Sequence, residues 1–308
     1  MTNAPTPRSS PRCSVIIATL DRLESLRIVL DCLDRQTAAA TEVLIAAAGD
    51  PAPLERMLAN RQPGATPIRV ITSPDKSAAR QRNLAAASAI GEVLAFLDDD
   101  IEFGPDLFAQ ALACFCGEEN SWPSAVSPRH LGGDTTPPGL LIRCYYRLLA
   151  GYAHLDYGGC LFGPGMNRLP GFPPSVPEML PVQWLPSTCL FVRATLFRHL
   201  RFPDFSGYSF GEDVHLTARL AREAPLYFLR DAAIIHHSLP SEFKADRARL
   251  IAGKLHNMGR IAREVQGLAG LSLWWRWHLH RLFLLSSLMA RRPAGWTDEA
   301  RGILQARL

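Results

Sequence analysis

Apolar residues along the first hundred positions fall into two alternating patterns, short continuous runs and helical stripes. Cys13 to Ala18 is a continuous apolar run that predicts a buried strand, and Leu23, Leu26, Leu30 and Leu33 then recur at helical spacing. The alternation continues with a strand over Glu42 to Ala48, a helix over Pro51 to Asn60 and a strand over Ile68 to Thr72. An Ala-rich helix follows over Ser77 to Ala89, closed by Gly91, and then a strand over Val93 to Leu97. Strands alternating with helices predict a doubly wound α/β fold on a mainly parallel sheet flanked by helices.

From Ser121 to Pro186 the periodicity gives way to breaker-rich sequence, including Gly132-Gly133, Pro137-Pro138 and the stretch Gly158 to Pro174. A segment of this kind reads as a functional loop or lid, and Tyr145, Tyr146, His154, Asp156 and Tyr157 are either pocket-lining or surface residues within it. Regular structure is expected again at Cys189 to Val192 (strand), Asp213 to Arg222 (helix), Leu226 to Leu229 and Ala232 to Ile235 (strands).

Chemistry concentrates where the fourth apolar run ends in Asp98, Asp99 and Asp100. Side chains alternate across a strand, so Asp98 and Asp100 point one way and Asp99 the other. Two convergent carboxylates suit a hard divalent ion such as Mg²⁺ or Mn²⁺, at the strand end where open α/β sheets bind ligands. Asp99 is expected to tolerate substitution best. An acidic turn ahead of a helix beginning near Pro105-Asp106 is the plainer alternative. Two further groups add weight. Gly211-Glu212-Asp213 opens a helix with more carboxylate than capping requires, which leaves one group as a candidate general base. His236-His237 ends a strand, where an imidazole could complete a metal site.

Composition narrows the setting. The 308 residues carry 47% hydrophobic and 20% charged side chains with a net charge of +4, an ordinary globular balance. Division changes the picture: positions 239–308 hold 12 Lys or Arg against 5 Asp or Glu, a net +7, and the remainder carries −3. Seven cysteines at scattered positions form neither a disulfide framework nor a zinc spacing. The first twelve residues are Pro-, Thr- and Ser-rich without an apolar core and read as a disordered tail rather than a leader. A cytoplasmic location is expected.

The order of these motifs resembles family 2 glycosyltransferases of the GT-A fold, which bind nucleotide-diphospho-sugars. The matching pieces are Ser14 to Arg22, Arg80-Gln81-Arg82-Asn83-Leu84, Gly91-Glu92, Phe96 to Asp100, Trp184 before the strand at Cys189, Gly211-Glu212-Asp213 and Ile235-His236. The resemblance implies a GT-A catalytic domain over 13–238 with a helical extension over 239–308. It implies that Asp98 and Asp100 form the DxD pair, that Asp213, beside Glu212, is the base, and that His236 is a further metal contact. Thr19, Asp21, Arg22, Arg82, Asn83 and Asp98 would lie along the nucleotide. The implied reaction is metal-dependent inverting transfer of a sugar to a hydroxyl of a glycan or lipid-linked acceptor. One departure stands out. The acidic pair that such enzymes use to read the base is replaced here by Ala47-Ala48, with Asp50 as a shifted substitute and a uridine nucleotide as the default.

The C-terminal quarter adds an amphipathic stripe, Ile251, Leu255, Met258, Ala262 and Val265, beside Lys254, Arg260 and Arg263. Three of the six tryptophans follow at 274, 275 and 277 among Arg276, His278, His280 and Arg281. This is a poor membrane span, and positions 250–290 are expected either on an anionic membrane surface, peripherally on its inner face, or packed on the catalytic domain. No nucleic-acid-binding motif accompanies the basic residues, so nucleic acid is set aside as a partner. Two rivals remain open at this point: a nucleotidyltransferase, which would want a Gly-rich loop where Ala18 to Arg22 has none, and a decayed glycan- or membrane-binding protein.

Overall fold

The computed structural model describes residues 10–62, 64, 66–132, 138–150, 157–205, 210–238 and 246–308. His154 and Asp156 lie outside them, as do the first nine residues. The N-terminal half follows the expected alternation: β1 (Cys13–Thr19), α1 (Leu23–Asp34), β2 (Glu42–Ala48), α2 (Ala52–Ala59), β3 (Ile68–Ser73), α3 (Ala78–Ala86) and β4 (Val93–Asp98). The chain continues through β5 (Ile101–Phe103), α4 (Leu107–Ala113), β6 (Ala125–Leu131), α5 (Leu140–Ala150), β7 (Leu161–Phe162), β8 (Met166–Asn167) and β9 (Met179–Val182). It then forms β10 (Cys189–Arg193), α6 (Ala194–Phe197), α7 (Glu212–Leu220), β11 (Leu226–His236), α8 (Arg247–Glu264), α9 (Gly270–Arg291) and α10 (Trp296–Gln305).

Nine strands form one mixed sheet in the order β3-β2-β1-β4-β10-β6-β11-β5, with β9 also paired to β11. The pairs β2–β3, β1–β2, β1–β4 and β6–β11 are parallel, whereas β10 runs antiparallel to both neighbours. Both faces are covered, which is why β1 is apolar from Val15 to Ala18. Val15 and Ile17 pack with Leu26, Val29 and Leu30 of α1 and Phe108 of α4. Ile16 packs on the other face with Ala79 and Ala85 of α3 and Leu216 of α7. Each fully buried side chain of this kind contributes about 1.5–3 kcal/mol, and neither face can be exposed without unfolding.

Three expectations need correcting. The 121–186 segment is not a loop: it supplies β6 in the middle of the sheet and the eleven-residue helix α5. Pro128 concealed β6, since proline cannot donate to a ladder. It is accommodated opposite a bulge where the register steps from Leu229–Pro128 to Ala233–Arg129. That bulge also joins the two short strands expected near 226–235 into one, β11. Finally, Gly91 does not close α3, which ends at Ala86. It lies where β1 passes so closely that a Cβ would sit 2.5 Å from the Ser14 backbone nitrogen.

The C-terminal helices pack on the rest of the chain. Ile261 of α8 and Val265 just beyond it are buried against Trp184, Phe205 and Val214, while Leu255 joins Trp277, Leu288 and Ile303 in a separate apolar cluster. Arg222 donates to the Val265 carbonyl, and His215 Nε2 lies 2.9 Å from Glu264 Oε2. The amphipathic stripe of α8 is therefore spent inside the molecule. Among the described residues, no helix is long and apolar enough to cross a membrane.

Candidate active site

The C-terminal ends of β4 and β11 bring three residues together from opposite halves of the sequence. One oxygen each of Asp98 and Asp100 and one nitrogen of His236 lie within 4.8 Å of one another. His236 Nε2 is 3.1 Å from Asp100 Oδ1 and 4.0 Å from Asp98 Oδ2. The other oxygen of each carboxylate is held by an arginine: Arg82 donates to Asp98 Oδ1 at 2.5 Å, and Arg22 to Asp100 Oδ2 at 3.3 Å. Each aspartate is thus fixed in rotation with its second oxygen turned toward His236. On the far side of the imidazole, Nδ1 lies 3.3 Å from Ser238 Oγ, and the tautomer that donates this bond directs the Nε2 lone pair at the carboxylates. Two hard oxygens and an imidazole nitrogen are a suitable donor set for Mn²⁺ or Mg²⁺.

Asp99 differs from expectation. It does point away from the pair, but it points into the protein, only 5% exposed. Thr19 Oγ1 donates to Asp99 Oδ2 at 2.7 Å and Arg22 to Asp99 Oδ1 at 3.2 Å. Burial pushes its carboxyl up to about 6, against the pull of the Thr19 hydroxyl and Arg22. The proton is therefore held more tightly folded than unfolded, so this group's contribution to stability falls as pH rises from about 4 to 6. Asp99 ties β1 and its following turn to β4 through these bonds.

Arg82 is the hub of the site. Its buried guanidinium donates to Glu212 Oε1 at 2.7 Å as well as to Asp98, and lies 5.3 Å from the Phe202 ring centre. Glu212 is buried by that pairing, while Asp213, the next residue of α7, is half-buried. Asp213 Oδ1 accepts from the Val214 backbone N–H at 2.8 Å. Burial pushes the Asp213 carboxyl up, the Val214 N–H and Arg82 pull it down, and the Asp98 charge raises it again, for a net upward shift. Gly211 makes the turn into α7. Its φ is +83°, and a Cβ there would meet Ile261 Cδ1 at 2.7 Å, so only glycine fits.

Thr19 and Arg22 lie at this centre through Asp99 and Asp100. Asn83 is turned elsewhere: its side chain donates to the Phe202 carbonyl and accepts from the Phe202 N–H, pinning the segment that covers Arg82. Asp21, with φ +54°, is exposed and carries its carboxylate against Gly49 at the end of β2. Asp50 caps the start of α2 by accepting from the Ala52 N–H at 3.0 Å. Tyr145, Tyr146 and Tyr157 pack in aromatic contacts with Phe162 and Phe283. Two participants were given no role in the sequence reading. Gln81 donates to the Thr19 and Ala46 carbonyls and holds the ends of β1 and β2 in register. His130 of β6 stands 6.4 Å from the His236 ring, and burial pulls it down to about 4, keeping it neutral. Its only sequence signal was the short apolar pair Ala125-Val126, five residues before it.

Comparison with known proteins agrees with this fold. Residues 14–155 match the family model described as Glycosyl transferase family 2. Residues 14–155 are thus similar to a glycosyl transferase family 2 domain, and the chain has the GT-A fold. It is similar to the mannosyltransferase PcManGT from Pyrobaculum calidifontis, solved with GDP-Man and Mn²⁺, at 16% identity and a TM-score of 0.56, over 98% of this chain and 88% of that one. Glucosyl-3-phosphoglycerate synthase from Mycobacterium tuberculosis, solved with Mn²⁺, UDP and phosphoglyceric acid, is similar at 15% identity and 0.51, over 81% and 79%. GalNAc-T7 with UDP, GalNAc and Mn²⁺ is similar at 13% and 0.54, over 82% of this chain and 50% of that one. At such identities the likeness is one of fold. No curated protein matches the sequence.

Proposed function

We propose that the protein is a metal-dependent, inverting glycosyltransferase that moves a sugar from a nucleoside diphosphate to a hydroxyl of a glycan or lipid-linked acceptor. The observation that carries this reading is the convergence of Asp98, Asp100 and His236 on one point, with the Asp213 carboxylate within electrostatic reach of Asp98. The Mn²⁺ present in the three similar structures supports it. A Mn²⁺ or Mg²⁺ would be held by Asp98, Asp100 and His236 and, when bound, would neutralise charge on the departing diphosphate. The residues of the chain do the rest. Thr19, Asp21 and Arg22 flank the nucleotide, and Asp21 faces the end of β2 where the base-reading acids are missing. Asp213 accepts the proton of the attacking hydroxyl as its oxygen bonds to the anomeric carbon. The bond from that carbon to the diphosphate breaks, and the leaving oxygen keeps the electron pair. A single displacement needs no covalent nucleophile and inverts the anomeric centre.

Slow hydrolysis of donor without acceptor provides the test. Incubated with a panel of UDP- and GDP-sugars and Mn²⁺, the protein is expected to release nucleoside diphosphate from one donor class, and EDTA is expected to stop the release. Absence of release and of binding across the whole panel would overturn the proposal.

A further inference from the structure

Helix α5 lay hidden in the breaker-rich segment, and its outer surface is unusual for a soluble domain. Tyr145 seats it on α9, stacking on Phe283 with ring centres 3.8 Å apart and its hydroxyl 2.5 Å from His280 Nδ1. Arg276 of α9 also donates to the Leu149 carbonyl. Beside this joint, Leu140, Leu141 and Leu148 face solvent, Leu141 with 85% of its surface open. A second ridge runs along α9. At about 100° per residue, Leu271, Leu282 and Met289 fall within about 20° of one another, with Trp274 about 60° to one side. All four are exposed, Leu271 at 76%.

Charge selects what these ridges face. Neither α5 nor α9 contains a single Asp or Glu, while they carry Arg143, Arg147, Arg276, Arg281 and Arg291. Arg143, Arg147 and Arg291 are exposed, as is Arg292 just beyond α9. Apolar ridges on two helices whose own charged residues are all cations are matched by a surface that is apolar within and anionic at its rim. A bilayer of anionic lipid has both properties. We infer that α5 and α9 together form a platform by which the protein lies on an anionic membrane surface, with the ridge leucines and Trp274 entering the headgroup boundary. The platform shares α9 with the 250–290 segment that sequence alone singled out and adds α5 to it, while Leu255 and Ala262 of the α8 stripe are buried and Trp277 is 1% exposed.

Co-sedimentation of the full chain with vesicles tests this directly. Phosphatidylcholine vesicles containing phosphatidylglycerol should retain the protein, and pure phosphatidylcholine should retain much less. Leu141→Asp on α5 and Leu271→Asp on α9 should each lower partitioning by roughly tenfold, the loss expected when one buried leucine contact is removed. Both positions are exposed, so unchanged thermal melting verifies that the fold is intact. Equal recovery with both vesicle types, or unchanged binding of both variants, would overturn the inference. So would a concentration-dependent dimer in solution that either variant splits and that shows no vesicle binding, because a second copy of the chain would then cover the ridges. Vesicle binding requires no donor or acceptor, so its failure leaves the glycosyl-transfer reading untouched.

Discussion

Asp213→Asn is expected to lower turnover by about 10²–10⁴-fold while leaving donor affinity within about twofold of wild type. Asparagine keeps the shape of the side chain and an oxygen that can accept the Val214 N–H, so the start of α7 and its contacts should survive. What is lost is the capacity to take the acceptor proton. The environment prepares the carboxylate for this: burial raises it above the ordinary aspartate range, and the Val214 N–H and the Arg82 charge limit the rise. A raised carboxyl is a stronger base than an ordinary surface aspartate. The wild-type rate should therefore fall as pH drops through the shifted value, on a limb above the ordinary Asp range, and this limb should be absent from the residual activity of the variant. Wild-type turnover in Asp213→Asn would remove Asp213 from the role of base.

The second large effect is expected at Arg82. Arg82→Ala would leave Asp98 and Glu212 facing one another without their shared cation, and breaking a buried pair in this way costs about 3–5 kcal/mol of stability. Urea unfolding measures it. A lysine is expected to recover part of the loss only, because a point charge cannot span two carboxylates as the planar guanidinium fork does. Donor affinity should fall alongside stability, since Asp98 loses the bond that fixes its rotation. If Arg82 were chiefly a contact to the nucleotide, the alanine variant would bind donor weakly and yet unfold at the wild-type urea concentration. That outcome would contradict the hub described above.

The two predictions divide along the line between what the sequence showed and what it concealed. The first four strands and three helices were legible because parallel strands buried on both faces read as continuous apolar runs, and α1 shows its stripe plainly. Asp98 and Asp100 could be paired by strand alternation, and His236 could be placed at a strand end, so the convergent triad rested on local rules. The other half of the sheet followed no such rule. Pro128 masked β6, and the bulge opposite it divided β11. The Arg82–Glu212 bond joins residues 130 apart, and no local pattern encodes a partner at that distance. The surroundings of Asp99 were hidden for a related reason: alternation gave its direction correctly, but only the fold shows that Thr19 and Arg22 occupy the space into which it points. In the C-terminal quarter, amphipathicity marked α8 as a helix with one face to bury. Tertiary packing decided that the face meets Trp184 and Val214, and it left the exposed ridges to α5 and α9.

Calorimetric titration of UDP and GDP tests the central claim most directly, since it asks whether Asp98, Asp100 and His236 hold a cation that the diphosphate needs. Wild-type protein is expected to bind one of the two in Mn²⁺ and to lose at least about tenfold in affinity in EDTA. Asp100→Ala, with its fold verified by thermal melting, is expected to show that same weak binding whether or not Mn²⁺ is present. Wild-type affinity in Asp100→Ala with Mn²⁺ would contradict the account.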